Sequence, residues 1–355
     1  TDPLGPDNLL IFAPGILQGT NLPGSGRNTV GGKSPLTGAI ASSEVGGWWG
    51  HEFKRTGFDA LVVHGRAEKP VYLWINDDEV EIRPASHLWG QLTAPTQEAI
   101  REELADEGIK VAQIGPAGEN QVLYAAVMND INRAAGRNGL GALMGSNNLK
   151  AVAVRGTKRV PIGDRQKMGG VAKWLGDNYK EKAAWAYEGR GTQDGVMGLS
   201  YVGGLPVQNF SEPVFAAPEL LSGERNYEML LKERDTCQVC PIDCKQVFEN
   251  ENEDPYKELD PVYGGPEYES MAALGSNCGV TNNLAVSKAN ELANADGMDT
   301  SAAGASIACV RECFERGILT GAVTGGCECG WGDGDMGVRA GERIGNRPDF
   351  GEGRA

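Results

Sequence analysis

The sequence predicts an α+β protein in which a β-rich domain over residues 1–160 is followed by a mainly helical domain over residues 161–355. Three observations carry this. Up to Gly156, short runs rich in β-branched and apolar residues dominate, each bounded by Gly, Pro or Asp. Beyond Pro161, apolar residues recur at helical spacing over helical lengths. Between the two lies the charged stretch Thr157–Asp164, interrupted by Pro161, which reads as a linker.

In chain order, the β-rich runs are Leu9–Ala13, Ala60–His64, Val71–Ile75, Val80–Ile82, Val111–Ile114, Val122–Ala126 and Leu149–Val154. One helix interrupts them. Thr93 is its expected cap, Pro95 sits in its first turn, and amphipathic spacing continues to Leu104. In the second half, Met168–Tyr187, Tyr227–Arg234, Leu284–Ala295 and Ser301–Arg316 have helical length and period. The opening Thr1-Asp2-Pro3-Leu4-Gly5-Pro6 reads like the interior of a protein, and the Gly-rich stretch from Gly321 brings no closing element. The expectation is a chain incomplete at both ends.

Composition narrows the function classes. A net charge of −15 argues against a nucleic-acid partner, because phosphate backbones need clustered Lys and Arg. No run of 18 uncharged apolar residues occurs, so no membrane helix is expected, and no signal peptide opens the chain. A cytoplasmic location is the expectation. The 51 glycines cluster at 24–32, 46–50, 136–145 and 321–334. Several Gly loops in one domain make turns, and they are also how a backbone wraps a bulky phosphorylated ligand.

Eight cysteines in a chain of this size point to metal binding or free thiols rather than a disulfide framework. Cys237, Cys240 and Cys244 form a C-x2-C-x3-C run, a spacing that lets three soft thiolates turn around one small object. Zinc and an iron–sulfur cluster both fit. Four-Cys zinc sites come as two separated C-x2-C pairs, and no second pair is present. A cluster calls for a fourth thiolate, for which spacing selects none of Cys278, Cys309, Cys313, Cys327 and Cys329. Cys309 and Cys313, four apart on an expected helix, read as core packing, and Cys327-Glu-Cys329 as a Gly-loop pair that could be reactive.

Several longer motifs carry a family resemblance. They are Gly26-Arg27, Lys33-Ser-Pro-Leu-Thr-Gly38 and Gly46-Gly47, then Ile114-Gly-Pro-Ala-Gly-Glu-Asn120. Asn132-Arg-Ala-Ala-Gly-Arg137, Gly141-Ala-Leu-Met-Gly-Ser146, Gly265-Pro-Glu-Tyr-Glu269 and Gly297-Met-Asp-Thr300 follow. In this order, from Asp2 to about Asp333, the chain resembles the aldehyde:ferredoxin oxidoreductase family. The resemblance implies a β-rich pterin-binding base, a helical iron–sulfur domain, and a tungsten or molybdenum ion held by two pyranopterins. It further implies Mg2+ between their phosphates, a [4Fe–4S] cluster on Cys237, Cys240 and Cys244, and ferredoxin as electron acceptor. A homodimer or a complex with electron-transfer subunits would be the assembly.

By the same match, Arg27 would sit between pterin and cluster, and Gly46, Arg133, Ala134, Gly136, Arg137, Asn294 and Asp299 would line the cofactor. Arginines suit phosphate because the guanidinium fork binds it bidentately, and small residues let the backbone approach. Three departures stand out. Glu44 occupies a position where many members have Asn, Asn294 replaces an Asp, and the family's third domain, which would carry the fourth cluster cysteine, is expected to be absent from this stretch. The implied reaction is oxidation of an aldehyde to a carboxylic acid, with Glu267 and Glu269 as candidate general bases. The alternatives are the tungsten subunit of a benzoyl-CoA-type aromatic-ring reductase, and a non-catalytic scaffold holding zinc or a structural cluster.

Overall fold

The computed structural model describes residues 1–181, 190–252, 257–321 and 329–334. Two sheets make up the first half. Strands β1 (Leu10–Pro14), β2 (Asn28–Lys33), β3 (Ile40–Val45) and β4 (Leu61–Val63) form an antiparallel sheet in the order β3-β2-β1-β4. Strands β5 (Val71–Asn76), β6 (Glu79–Pro84), β7 (Lys110–Gln113), β8 (Val127–Asn129), β9 (Arg133–Ala135) and β10 (Leu149–Arg155) form the second. Its order is β6-β5-β10-β7-β8-β9, with only β5 and β10 parallel.

Strand β10 explains why this sheet is central. Val152 and Val154 face a core shared with the first sheet, while Ala151 and Ala153 face a second core on the opposite side, as a strand buried on both faces requires. Four helices punctuate this half: α1 (Trp49–Lys54), α2 (Thr93–Leu104), α3 (Pro116–Glu119) and α4 (Leu140–Ser146). Trp49 and Phe53 of α1 stack at 5.0 Å and join Phe12, Val30 and Val154 in the shared core. The Trp49 indole N–H donates to Val152 O at 2.8 Å, so its one polar atom is satisfied.

The second half contains α5 (Arg165–Tyr179), α6 (Gly195–Tyr201), α7 (Gly223–Leu230), the hairpin β11 (Leu231–Asp235) with β12 (Lys245–Phe248), α8 (Tyr268–Ser270), α9 (Asn283–Asp296) and α10 (Thr300–Glu315). Their caps follow the chemistry of the residues. Asp164, Ser222, Asn282 and Asp299 each accept backbone N–H bonds at a helix start, and Gly297 ends α9 with φ +73°. The α9–α10 corner is pressed onto the first half. Ala126 N donates to Gly297 O, Asp299 N donates to Tyr124 O, and a Cβ on Gly115 would lie 2.4 Å from the Asp296 backbone.

The structure revises several expectations. Thr93 is the first helical residue and not the cap; its hydroxyl donates instead to Asn294 O at 3.0 Å. Val122–Ala126 is no strand, because its backbone is satisfied by turns and by cross-links to α3, α4 and Gly297. The helix expected over Tyr227–Arg234 stops at Leu230, since Leu231–Asp235 pairs with β12. Strand β2 forms largely within the Gly cluster at 24–32, and β3 pairs with it in a stretch where no strand was expected. Of the helix expected over Met168–Tyr187, residues 182–187 lie outside the described residues. Cys309 is exposed on α10, not part of the core; Cys329 is buried, and Cys327 lies outside the described residues. No described helix is long and apolar enough to cross a membrane.

Candidate functional site

A cavity of about 540 Å³ opens where the two halves meet. It is lined by β3 and the strip after it (Ser42–Gly46), by residues around β9 (Asn132–Ala134, Gly136, Arg137), by Asn290 and Asn294 of α9, and by the Met298–Ser301 corner. Cys237, Cys244, Lys245, Glu267, Glu269 and Thr192 close it from the other side. Of the residues singled out from the sequence, Arg27, Gly46, Arg133, Ala134, Gly136, Arg137, Asn294, Asp299, Glu267, Glu269, Cys237 and Cys244 all line this one space. Cys240 does not line it, but belongs to the same turn.

The β11–β12 hairpin presents the cysteines. The turn between the strands is held by Cys240 N donating to Cys237 O at 3.0 Å, by the Thr236 hydroxyl donating to Cys240 O at 2.7 Å, and by Arg234 donating to Ile242 O at 2.9 Å. Val239 and Asp243 adopt φ near +55° and +50°, which turns the chain twice within the motif. Cys237 is seated against the Gly46-Gly47 strip. Gly47 N donates to its Sγ at 3.3 Å, and a Cβ on Gly46 would lie 2.7 Å from that sulfur. Glycine is therefore a packing requirement here. Arg133 adds its Nη1 at 3.7 Å from the same sulfur while Nη2 pairs with Asp235 at 3.0 Å.

The protein surroundings of Cys244 alone favour the neutral thiol. Burial, then the nearby Glu267 and Cys237 charges, push the Cys244 thiol up to about 11. An electropositive metal core would reverse that balance, since coordinated thiols lose their protons. Arg133 is held in its charged form by Cys237 and Asp235 against the opposing effect of burial. Among the described residues no three His, Cys, Asp or Glu side chains converge as ligands of one ion. Ligands of a multi-atom cluster surround its corners and need no such common point.

On the cavity's other wall, Asp299 accepts from Ser301 N and Ala302 N as the α10 cap and lies 3.6 Å from Arg137 Nε. Burial raises its pKa, opposed by Arg137 and those N–H bonds. Arg137 is 69% exposed and keeps both terminal nitrogens free of hydrogen bonds among the described residues. Asn294 donates its amide N–H to Tyr263 O at 2.9 Å, which orients its side-chain amide at the cavity wall. One turn earlier, Asn290 is buried with Nδ2 unpartnered, a polar group a ligand in this cavity could satisfy. Cationic side chains, small residues along the walls and an orphan buried donor together fit a large phosphate-bearing heterocycle.

Sequence reasoning passed over Lys245 and Thr192. Lys245 is buried, donates to Gly265 O at 2.8 Å and lies 3.5 Å from Glu267 Oε1, while the Thr192 hydroxyl donates to Glu267 Oε2. Burial lowers the pKa of Lys245, and Glu267 opposes that shift. Its place directly after Cys244 was the available signal, but a lysine beside a cysteine motif reads as surface charge until the fold buries it.

Known proteins give the site its context. The model of the aldehyde ferredoxin oxidoreductase N-terminal domain matches residues 1–156, and that of domains 2 and 3 of the same family matches residues 170–355. The chain is 42% identical over 354 residues to the tungsten-containing aldehyde ferredoxin oxidoreductase of Thermococcus kodakarensis, covering 99% of this chain and 57% of that one. It is 41% identical to the Pyrococcus furiosus protein of the same name, with the same coverage. Among solved structures, the active-site complex BamBC of benzoyl coenzyme A reductase, with 1,5-dienoyl-CoA, superposes with a TM-score of 0.83 at 27% identity. That match covers 99% of this chain and 55% of the other. The chain thus spans a little over half the length of these relatives.

Proposed function

The chain belongs to the aldehyde ferredoxin oxidoreductase family, and from that premise we propose that it carries the pterin and cluster machinery of a tungsten enzyme that oxidises aldehydes to carboxylic acids. Electrons would leave through a [4Fe–4S] cluster on Cys237, Cys240 and Cys244 to ferredoxin. The observation that carries the reading is the cavity, where residues scattered between Arg27 and Ser301 surround one space beside the cysteine turn. Cations, small residues and thiols gathered at one cavity are the set that would hold a phosphorylated, redox-active ligand.

A tungsten or molybdenum bis-pyranopterin supplies, when bound, the two-electron capacity and the Lewis acidity for the oxidation. This chain's residues do the rest. Arg137, with its terminal nitrogens open to the cavity, would hold phosphate, and the Ala134 and Gly136 backbone would approach the cofactor and its Mg2+. Arg27 lies exposed on the same wall, on the side from which it could reach both pterin and cluster. Glu267 would take the proton lost as water adds to the aldehyde carbon. Its two oxygens are oriented by Thr192 and Lys245, so the carboxylate presents a fixed edge to the cavity. Glu269, exposed on the same wall, would pass that proton to solvent.

The test is dye reduction by the full-length, metal-loaded enzyme with a panel of aldehydes, set against an aromatic CoA thioester. Glu267→Gln should lower kcat by about 10²–10⁴, the range for losing a positioned acid–base group. Turnover of the thioester and of no aldehyde would overturn the proposal in favour of the ring-reductase chemistry. The identities of 42% and 27% favour the aldehyde reading.

A further inference from the structure

We propose that Asp130 is a positioning residue for the iron–sulfur cluster, acting through the Gly46-Gly47 strip to keep a backbone N–H on the sulfur of Cys237. The inference rests on the cluster reading above and adds how this chain would set the cluster's potential.

The geometry runs through four short links. Asp130 sits in the turn between β8 and β9, where it and Ile131 hold φ of +49° and +70°. Both are conformations that non-glycine residues adopt at a cost and keep only where the surroundings demand it. What the turn achieves is to aim one carboxylate oxygen, Oδ2, at the start of α1. That oxygen accepts from Trp48 N at 2.6 Å and Trp49 N at 3.2 Å. The residue just before them, Gly47, has φ +95°, and its N–H donates to Cys237 Sγ at 3.3 Å. A Cβ on Gly47 would lie 2.7 Å from Asp130 Oδ2, so strip and carboxylate are in direct contact.

The same turn delivers the second donor. Two residues beyond Ile131, Arg133 begins β9 and places Nη1 at 3.7 Å from Cys237 Sγ. Neither Cys240 nor Cys244 has a hydrogen-bond donor at its sulfur among the described residues. Cys237 is thus the thiolate with two donors, and both depend on the Asp130 turn. Asp130 is half-buried, and its second oxygen, Oδ1, is enclosed with no hydrogen-bond partner among the described residues. A carboxylate serving only to cap a six-residue helix gains little from that burial. Hydrogen bonds to cluster sulfurs stabilise the more negative, reduced state and so raise the reduction potential.

The experiment is an EPR-monitored redox titration of the anaerobically purified full-length enzyme and three variants. Asp130→Glu keeps the charge and disturbs the geometry; Gly47→Ala brings a methyl group onto the carboxylate; Asp130→Asn keeps a carbonyl able to accept both N–H bonds. The first two should move the cluster midpoint negative by about a tenfold change in the reduction equilibrium, about 59 mV for one electron, with iron content retained. Asp130→Asn should not move it negative. Wild-type midpoints in both Asp130→Glu and Gly47→Ala would overturn the inference. In the unmutated enzyme, the reduced cluster should couple to a hydrogen that exchanges in D2O; absence of that coupling overturns the inference even where a variant fails to fold. A wild-type protein without iron would instead sink the cluster reading itself.

Discussion

Replacing Arg137 tests the phosphate role where the structure is most explicit. Its backbone N–H is fixed by the Ser43 hydroxyl at 3.2 Å, so the residue's place on the cavity wall does not depend on its side chain. The guanidinium touches Asp299 only through Nε at 3.6 Å, and the side chain is 69% exposed. Removing it should cost the fold no more than about 0.5 kcal/mol, the range for surface substitutions. Ligand binding should suffer far more. A hydrogen bond to a charged group is worth about 1.5–3 kcal/mol, and solvent screening at so open a site favours the lower half of that span. Arg137→Ala should therefore weaken retention of the pterin by about 10- to 30-fold, at roughly 1.4 kcal/mol per tenfold. Arg137→Lys, which keeps the charge and loses the fork, should fall between. The assay is tungsten and phosphate per chain after gel filtration, with iron as internal reference. Wild-type tungsten-to-iron ratios in Arg137→Ala would refute the reasoning, and so would a parallel loss of iron.

Other outcomes follow from the same structure. Cys240→Ser should abolish the broad visible absorbance bleached by dithionite while leaving far-UV circular dichroism unchanged, because Cys240 is only partly buried and holds its turn through backbone atoms. Lys150→Met should destabilise the fold by about 3–5 kcal/mol in urea denaturation, since it strands the buried carboxylate of Glu119, its ion-pair partner. Replacing both, as Lys150→Met with Glu119→Gln, should recover most of that loss. His51 is buried, and burial and then Arg55 hold its pKa below the ordinary 6.5. Unfolded chains then bind more protons than folded ones between the folded pKa and 6.5, so stability falls as pH drops through that window. His51→Gln should flatten that stretch of a Tm-versus-pH curve; an unchanged slope would show that other groups set it.

How much was legible in the sequence differs by region, for physical reasons. Helices α9 and α10 could be read almost to the residue, because periodicity, the Asn282 and Asp299 caps and Gly297 all agree. Strands β2 and β3 could not, because Gly31, Gly32, Ser42 and Ser43 lack β propensity and owe their conformation to antiparallel pairing. The segment Tyr227–Arg234 fits a helical period, but its last residues serve the hairpin that carries the cysteines. Site residues were legible where a motif needs a particular chemistry at a fixed spacing. Lys245, Thr192, Asn290 and Asp130 gain their meaning only from distant neighbours. The bond from the Asn294 amide to the Tyr263 carbonyl, 31 residues away in sequence, is likewise set by the fold alone.

The most direct test of the account is elemental analysis of the anaerobically purified full-length protein for W, Mo, Fe and Zn. The account predicts tungsten or molybdenum together with about four Fe per chain, as one [4Fe–4S] cluster requires. Zinc alone, with neither iron nor tungsten, would contradict it and leave the Cys237–Cys244 turn as a structural metal site.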